Sequence, residues 1–185
     1  MADVLTAARA PLDRFTAAAP LGLSAGASAA RFILRGRPEA LDAAEAAIGF
    51  ALPRQACRAA SAGDRHALWL GPDEWLLIAP ALEVETLAAA LEAAMGALPH
   101  SLVEISQRQT ALKIAGPRAA TLLSVGCLLD LDPAAFPVGM CTRTVLAKAE
   151  IVLWRTDDDV FHIEVWRSYS AYVWRFLEAA GAEFV

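Results

Sequence analysis

His66-Ala-Leu-Trp-Leu-Gly-Pro-Asp-Glu-Trp-Leu-Leu-Ile-Ala79 decides the fold. Two apolar runs, His66 to Leu70 and Glu74 to Ala79, flank Gly71-Pro72-Asp73, a turn signal that reads as a β-hairpin. Leu82, Leu87, Leu91 and Met95 then recur near helical spacing, so a helix follows over Leu82 to Ala97. Upstream, Arg31 to Arg35 reads as a strand, and Gly36 with Pro38 opens a helix through Ala47. Residues 50–65 give no decided pattern beyond a strand and a loop. The order is strand, helix, strand, turn, strand, helix.

The plan recurs downstream. Leu102 to Ser106 and Thr110 to Ala115 are strand-like, Gly116-Pro117 starts a helix to about Val125, and strands follow over Thr144 to Arg155 and Val160 to Trp166. A last helix spans Ser168 to Ala180 and stops at Gly181. A shift of about 85 positions carries Leu68-Trp69 onto Leu153-Trp154, Ile78 onto Ile163 and Gly96 onto Gly181. A shift of about 80 aligns Phe32 to Gly36 with Leu112 to Gly116. The fold expected is α+β: two ferredoxin-like, split β-α-β halves (about 31–98 and 99–185), each with helices on one sheet face. Residues 1–30, rich in Ala, Gly and Ser, are expected to stay flexible or lie along a partner and to add little to the fold.

Composition narrows the function. The 185 residues carry 16 basic and 21 acidic side chains, a net charge of −5, which disfavours nucleic acid or an anionic membrane as partner. Apolar residues make up 57% and charged ones 20%, leaving more apolar surface than a small core absorbs. That excess predicts a partner interface of roughly 2,000 Å² or more and leaves self-association of the isolated chain open. The longest uncharged stretch, Phe15 to Ala30, is broken by Pro20, Gly22 and Gly26 and does not read as a membrane span. Cys57, Cys127 and Cys141 have no paired spacing, and Met1 to Leu5 lacks a basic, apolar leader, so the cytoplasm is the expected compartment.

Neither nucleotide-binding glycine motifs nor zinc or nucleophile-elbow signatures occur. Asp157-Asp158-Asp159 reads as a solvated hairpin tip. His162, Glu164 and Trp166 share one face of a strand; Phe161, Ile163 and Val165 hold the other and belong under the helices. A His–Glu pair can do acid–base work, but a contact between halves or subunits is the favoured reading. Cys141, near Arg143, reads as a buried, inert thiol. Trp69 and Trp154 stand at matching points of the repeat and read as structural. Trp166, Arg167, Tyr169 and Trp174 form an aromatic–arginine cluster of the composition enriched at interface centres. The interface expected centres on those four, with His162 and Glu164 as second choice.

Several segments resemble the gamma subunits of heterotetrameric sarcosine oxidases. They are Trp69 to Ile78 with Glu104-Ile-Ser-Gln-Arg-Gln109, Gly116-Pro117 with Leu122-Leu123, and Gly126 to Leu131. Phe136 to Thr144, Ala147 to Arg155 and Phe161 to Ser168 complete the set. A fainter similarity reaches the folate-binding domain of the glycine-cleavage T-protein. The resemblance implies a complex that oxidatively demethylates sarcosine to glycine, making hydrogen peroxide and, with tetrahydrofolate, methylenetetrahydrofolate. It implies alpha, beta and delta partner subunits that hold FAD, FMN, NAD and zinc, with no catalytic, cofactor or metal residue on this chain. The alternative is a folate or small-molecule binder using the Glu104 to Arg108 segment.

Overall fold

The computed structural model describes residues 11–13, 15, 16 and 21–184. β1 (Leu23–Ala25) leads into β2 (Ala29–Gly36), and α1 (Pro38–Ile48) follows with Pro38 at its first position. Gly49 ends α1 in the left-handed region at φ 93°, where its N–H reaches the Glu45 carbonyl at 2.9 Å. β3 (Ala59–Ala62), β4 (Arg65–Gly71), β5 (Glu74–Pro80), α2 (Val84–Met95) and β6 (His100–Glu104) complete the first half. Its antiparallel sheet runs β3-β4-β5-β2-β6.

The second half holds β7 (Gln109–Ala115), α3 (Ala119–Ser124), β8 (Cys141–Leu146), β9 (Ala149–Asp157), β10 (Val160–Trp166) and α4 (Ser170–Gly181). Its sheet runs β1-β7-β10-β9-β8. The place that β6 takes beside β2 in the first sheet is taken beside β7 by β1. Leu23, Ser24 and Ala25 pair there with Ile114, Lys113 and Leu112. Each half is thus a split β-α-β unit with one added edge strand, and the second half draws its fourth strand from the N-terminal region.

Strand alternation builds four layers. Trp75, Leu77 and Ala79 of β5 pack under α1 and α2, while Leu76 and Ile78 face the other sheet. Phe161, Ile163 and Val165 of β10 pack under α3 and α4, as strand period requires. Between the sheets lies a small third cluster of Leu68, Leu76, Ile78, Ile105, Cys141, Val152 and Trp154. The helices therefore cover the outer faces of two sheets packed back to back.

Four expectations change. Residues 1–30 do not stand apart from the fold: Leu12 and Leu23 are buried in the second-half core, and the Phe15 ring lies 5.2 Å from that of Trp174. The reason is the open edge of β7, which β1 closes; residues 1–10, 14 and 17–20 of that segment lie outside the described residues. The strand read at Leu102 to Ser106 is β6 and pairs with β2, so the first half runs to Glu104 rather than 98. The strand read at Thr144 to Arg155 divides into β8 and β9 at Ala147, a left-handed residue with φ 53°. Lastly, the odd shift of 85 puts matched strand residues on opposite faces. Trp69 packs toward α1 and α2 while Trp154 faces between the sheets, so the two tryptophans are not equivalent. The shift of 80 is even, and Phe32 and Leu112 both lie under helices.

Candidate docking surface and the clasp between the sheets

β10 presents His162, Glu164 and Trp166 toward the first-half sheet. Glu164 is fully buried and is met from β2 by Arg31, whose Nε donates to its Oε2 at 2.6 Å. On its other oxygen, Oε1 lies 2.8 Å from His162 Nε2. Burial pushes the Glu164 carboxyl up, but the hydrogen bond and charge of His162, together with Arg31, outweigh it and hold the group below its usual value. Arg31 also donates from Nη1 to the Ala29 carbonyl at 3.1 Å. The result is a three-residue polar clasp across a largely apolar seam.

Trp154 extends the clasp. Its ring centroid is 5.7 Å from His162 on its own sheet and 5.0 Å from His66 on β4. Burial first, and then the charge of His162, lower the pKa of His66. Both carboxylate oxygens of Glu164 are engaged and the group has no solvent exposure, so it is placed for cohesion rather than proton transfer to a substrate. Cys141 is equally withdrawn: burial pushes its thiol up to about 12, which leaves almost no thiolate at neutral pH. Among the described residues no group of three or more His, Cys, Asp or Glu side chains could hold a metal ion. The Asp157 to Asp159 turn is occupied by the fold itself, since the Asp158 carbonyl accepts from Arg155 Nε at 3.0 Å and that of Asp159 from Gly116 N–H at 2.9 Å.

The residues expected at an interface separate into two sets. Trp166 and Tyr169 are 41% and 45% exposed, and Arg167 is exposed beside them. Trp174 is not at the surface: with no exposure it is a core residue of the second half, because α4 turns it inward with Val173 and Leu177. Glu164 is withdrawn into the clasp, and His162, partly buried, is turned onto it. The sequence clustering of Trp166, Arg167, Tyr169 and Trp174 therefore does not survive folding.

In its place α4 offers a stripe in which Tyr172 and Phe176 are the residues that the sequence reading missed. Tyr169, Tyr172 and Phe176 stand at i, i+3 and i+7, about a quarter turn round the helix from the buried Val173 and Leu177. Tyr172 is exposed and stacks on Phe176, their centroids 6.4 Å apart. Phe176 reaches the turn after α3, where a Cβ on Gly126 would come within 2.6 Å of its ring. That turn holds Val125 and Leu128, the latter 87% exposed. At the other end of the stripe, the Arg108 guanidinium lies 5.2 Å from the centroid of Trp166. The aromatic surface thus runs from Trp166 along α4 to Leu128. The i, i+3, i+7 spacing was the signal available, masked by the denser Trp and Arg positions around it.

Two back-to-back split β-α-β sheets joined by an interior clasp define a protein of the T-protein-like fold class. The aminomethyltransferase T of the glycine cleavage system from Bartonella henselae matches with a TM-score of 0.67 over 89% of this chain and 46% of that one, at 16% identity, a likeness of fold alone. The family model described as sarcosine oxidase, gamma subunit family, matches residues 36–183, and the chain belongs to that family. It is 36% identical over 165 residues to the sarcosine oxidase subunit gamma of Arthrobacter sp, covering 84% of this chain and 80% of the relative. It is 38% identical over 139 residues to that of Corynebacterium sp. (strain P-1), covering 75% and 68%. A chain of the heterotetrameric sarcosine oxidase from Corynebacterium sp. U-96, solved in complex with pyrrole 2-carboxylate, matches with a TM-score of 0.88 at 31% identity over 95% of both chains. No helix among the described residues is long and apolar enough to cross a membrane.

Proposed function

We propose that this chain is the gamma subunit of a heterotetrameric sarcosine oxidase and serves it as a non-catalytic structural subunit. The observation that carries the reading is the TM-score of 0.88, over 95% of both chains, with a chain of such an oxidase. In this reading the other subunits, alpha, beta and delta, hold FAD, FMN, NAD and zinc and carry out the oxidative demethylation of sarcosine in the cytoplasm. The gamma chain contributes by docking, through the surface that starts at Trp166, Arg167 and Tyr169 and continues along α4. Large amphipathic rings and guanidinium groups suit such a contact, since they bury much area at small entropic cost.

Co-purification of the full complex with a tagged gamma chain tests the docking. Tyr172→Ala and Trp166→Ala are each expected to weaken capture of the other subunits by about 2–4 kcal/mol of binding while leaving the melting temperature of the chain unchanged. Undiminished capture by both variants would place the docking site elsewhere; failure of the unaltered chain to capture any subunit would remove the assignment itself.

A further inference from the structure

Cys57 and Cys141 meet where backbone hydrogen bonds join the two halves of the fold. Arg58 and Met140 form an isolated antiparallel bridge. On either side of it, Ala59 N–H donates to the Gly139 carbonyl at 2.8 Å and Cys141 N–H to that of Cys57 at 3.0 Å. The two cysteines therefore stand opposite each other, one in the loop before β3 and the other at the start of β8. Opposed residues of an antiparallel pair that share backbone bonds bring their Cα atoms to about 5.5 Å, inside the range of about 4.4–6.8 Å that a disulfide spans. The two positions are far apart in the chain, which is why their spacing gave no sign of pairing.

The pair is asymmetric. Cys57 is partly exposed, whereas Cys141 has no exposure and its Sγ donates to the Trp69 carbonyl at 3.7 Å. Cys57 also holds a left-handed backbone, φ 58°, a conformation that L side chains rarely adopt and that gathers at functional positions. Beside the pair, Arg58 carries a buried Nη1 that has no hydrogen-bond partner among the described residues. A buried guanidinium N–H without an acceptor is a donor in want of a negative charge. Its field reaches Cys141: burial and then the charge of Cys57 push that thiol up, and Arg58 draws it down. Two sulfurs and one unanswered cation thus act on one another at the join.

We propose that Cys57 and Cys141 are a peroxide-oxidisable pair whose disulfide staples the two halves together, with Arg58 steadying the second thiolate. The accessible member reacts first. The Cys57 thiolate attacks one oxygen of hydrogen peroxide, an S–O bond forms, the O–O bond breaks, and the departing hydroxide takes a proton to become water. Cys57 is then a sulfenic acid, oxidised by two electrons, and the peroxide is reduced. Loss of the Cys57 charge removes the repulsion on Cys141 and leaves Arg58 to favour the second thiolate. Cys141 attacks the Cys57 sulfur, the S–S bond forms, the S–O bond breaks, and the released hydroxide joins the Cys141 proton as a second water. Thiolate is scarce at Cys141, but a sulfur held against its target reacts at a high effective concentration. The site goes beyond the docking role and does not depend on it.

Hydrogen peroxide added to the full, reduced chain at neutral pH tests the proposal, read by alkylation, intact mass and peptide mapping. The expected product is one intramolecular bond linking the Cys57 and Cys141 peptides, reversed by dithiothreitol. Cys141→Ala should abolish the link and leave Cys57 as a sulfenic acid that dimedone traps, while Cys57→Ser should leave Cys141 a free thiol at the same peroxide concentration. Arg58→Gln should slow closure about threefold, an about tenfold smaller thiolate fraction being partly offset by its greater nucleophilicity, and should move the pH profile of closure upward. Three results would overturn the proposal. They are an unaltered chain in which Cys57 stays a thiol or passes to sulfinic acid without a link, a bond to Cys127 or to a second chain in place of Cys141, and closure at unchanged rate and pH in Arg58→Gln. The first two are read on the unaltered protein and hold even where a variant fails to fold. Because the readout is a covalent bond within the chain, it is separate from the capture of other subunits that tests the docking.

Discussion

Replacing Arg31 by methionine probes the clasp most directly. The change keeps much of the side-chain volume but removes the charge that reaches Glu164 at 2.6 Å. Glu164, with no exposure, would then be left in the interior with His162 alone. Breaking a buried pair by deleting one partner costs about 3–5 kcal/mol, because the remaining charge has lost its compensation. In a chain of this length each kcal/mol lowers the melting temperature by about 2–4 °C, so Arg31→Met should melt about 6–20 °C lower. Removing both partners is a different matter. Arg31→Met combined with Glu164→Leu leaves no isolated charge and should recover most of the loss, giving a coupling energy of opposite sign to the single costs. Urea unfolding and calorimetric melting at neutral pH, run on both single variants and the double, supply the cycle. The exposed pair Arg35–Asp73, 2.8 Å long, is the internal control, and Arg35→Met should leave the midpoint where it was. A loss under about 1 kcal/mol for Arg31→Met, or a double variant as damaged as the sum of its parts, would refute the clasp.

Other consequences are as specific. Deleting residues 1–25 removes β1 and the buried Leu12 and Leu23, so melting should fall by at least about 8 °C, contrary to the expectation from composition alone. Trp174→Ala should cost about 3–5 kcal/mol in the isolated chain, whereas Trp166→Ala should leave it unchanged; unfolding curves for both separate core from surface. Acid should destabilise the fold in two stages. The His66 pKa lies below 6.5, so stability falls as pH drops from 6.5 toward the folded value, where only the unfolded chain takes up the proton. The Glu164 pKa is also depressed, so its contribution is complete above the ordinary carboxylate value and is lost as pH falls through the folded one. Melting against pH for His66→Gln and Glu164→Gln would show which stage each group sets. Finally, iodoacetamide on the native chain should modify Cys57 well before Cys141, whose thiol stands near 12; peptide mass mapping reads the order.

The sequence by itself determined most of the strand and helix order from β2 onward, the hairpin at Gly71 to Asp73 and the division of β10 into two faces. These depend on neighbours along the chain: turn residues with special dihedral preferences and a period of two that assigns each side chain to a face. It also carried the family likeness through segments such as Phe136 to Thr144. What only the tertiary structure decided are the relations between residues distant along the chain. That β1 fills the edge of β7 depends on an open edge about 90 positions downstream, which no local pattern signals. That an Arg at 31 would answer a Glu at 164 follows from stacking the two sheets, a separation of 133 positions. Trp166 and Trp174 look alike in the sequence, yet one is 41% exposed and the other sealed, because the rotation of α4 about its axis is set by the sheet beneath it. The aromatic stripe from Trp166 to Leu128 belongs to this second kind of information: it exists only where separate elements meet, and side-chain chemistry alone does not say which elements will.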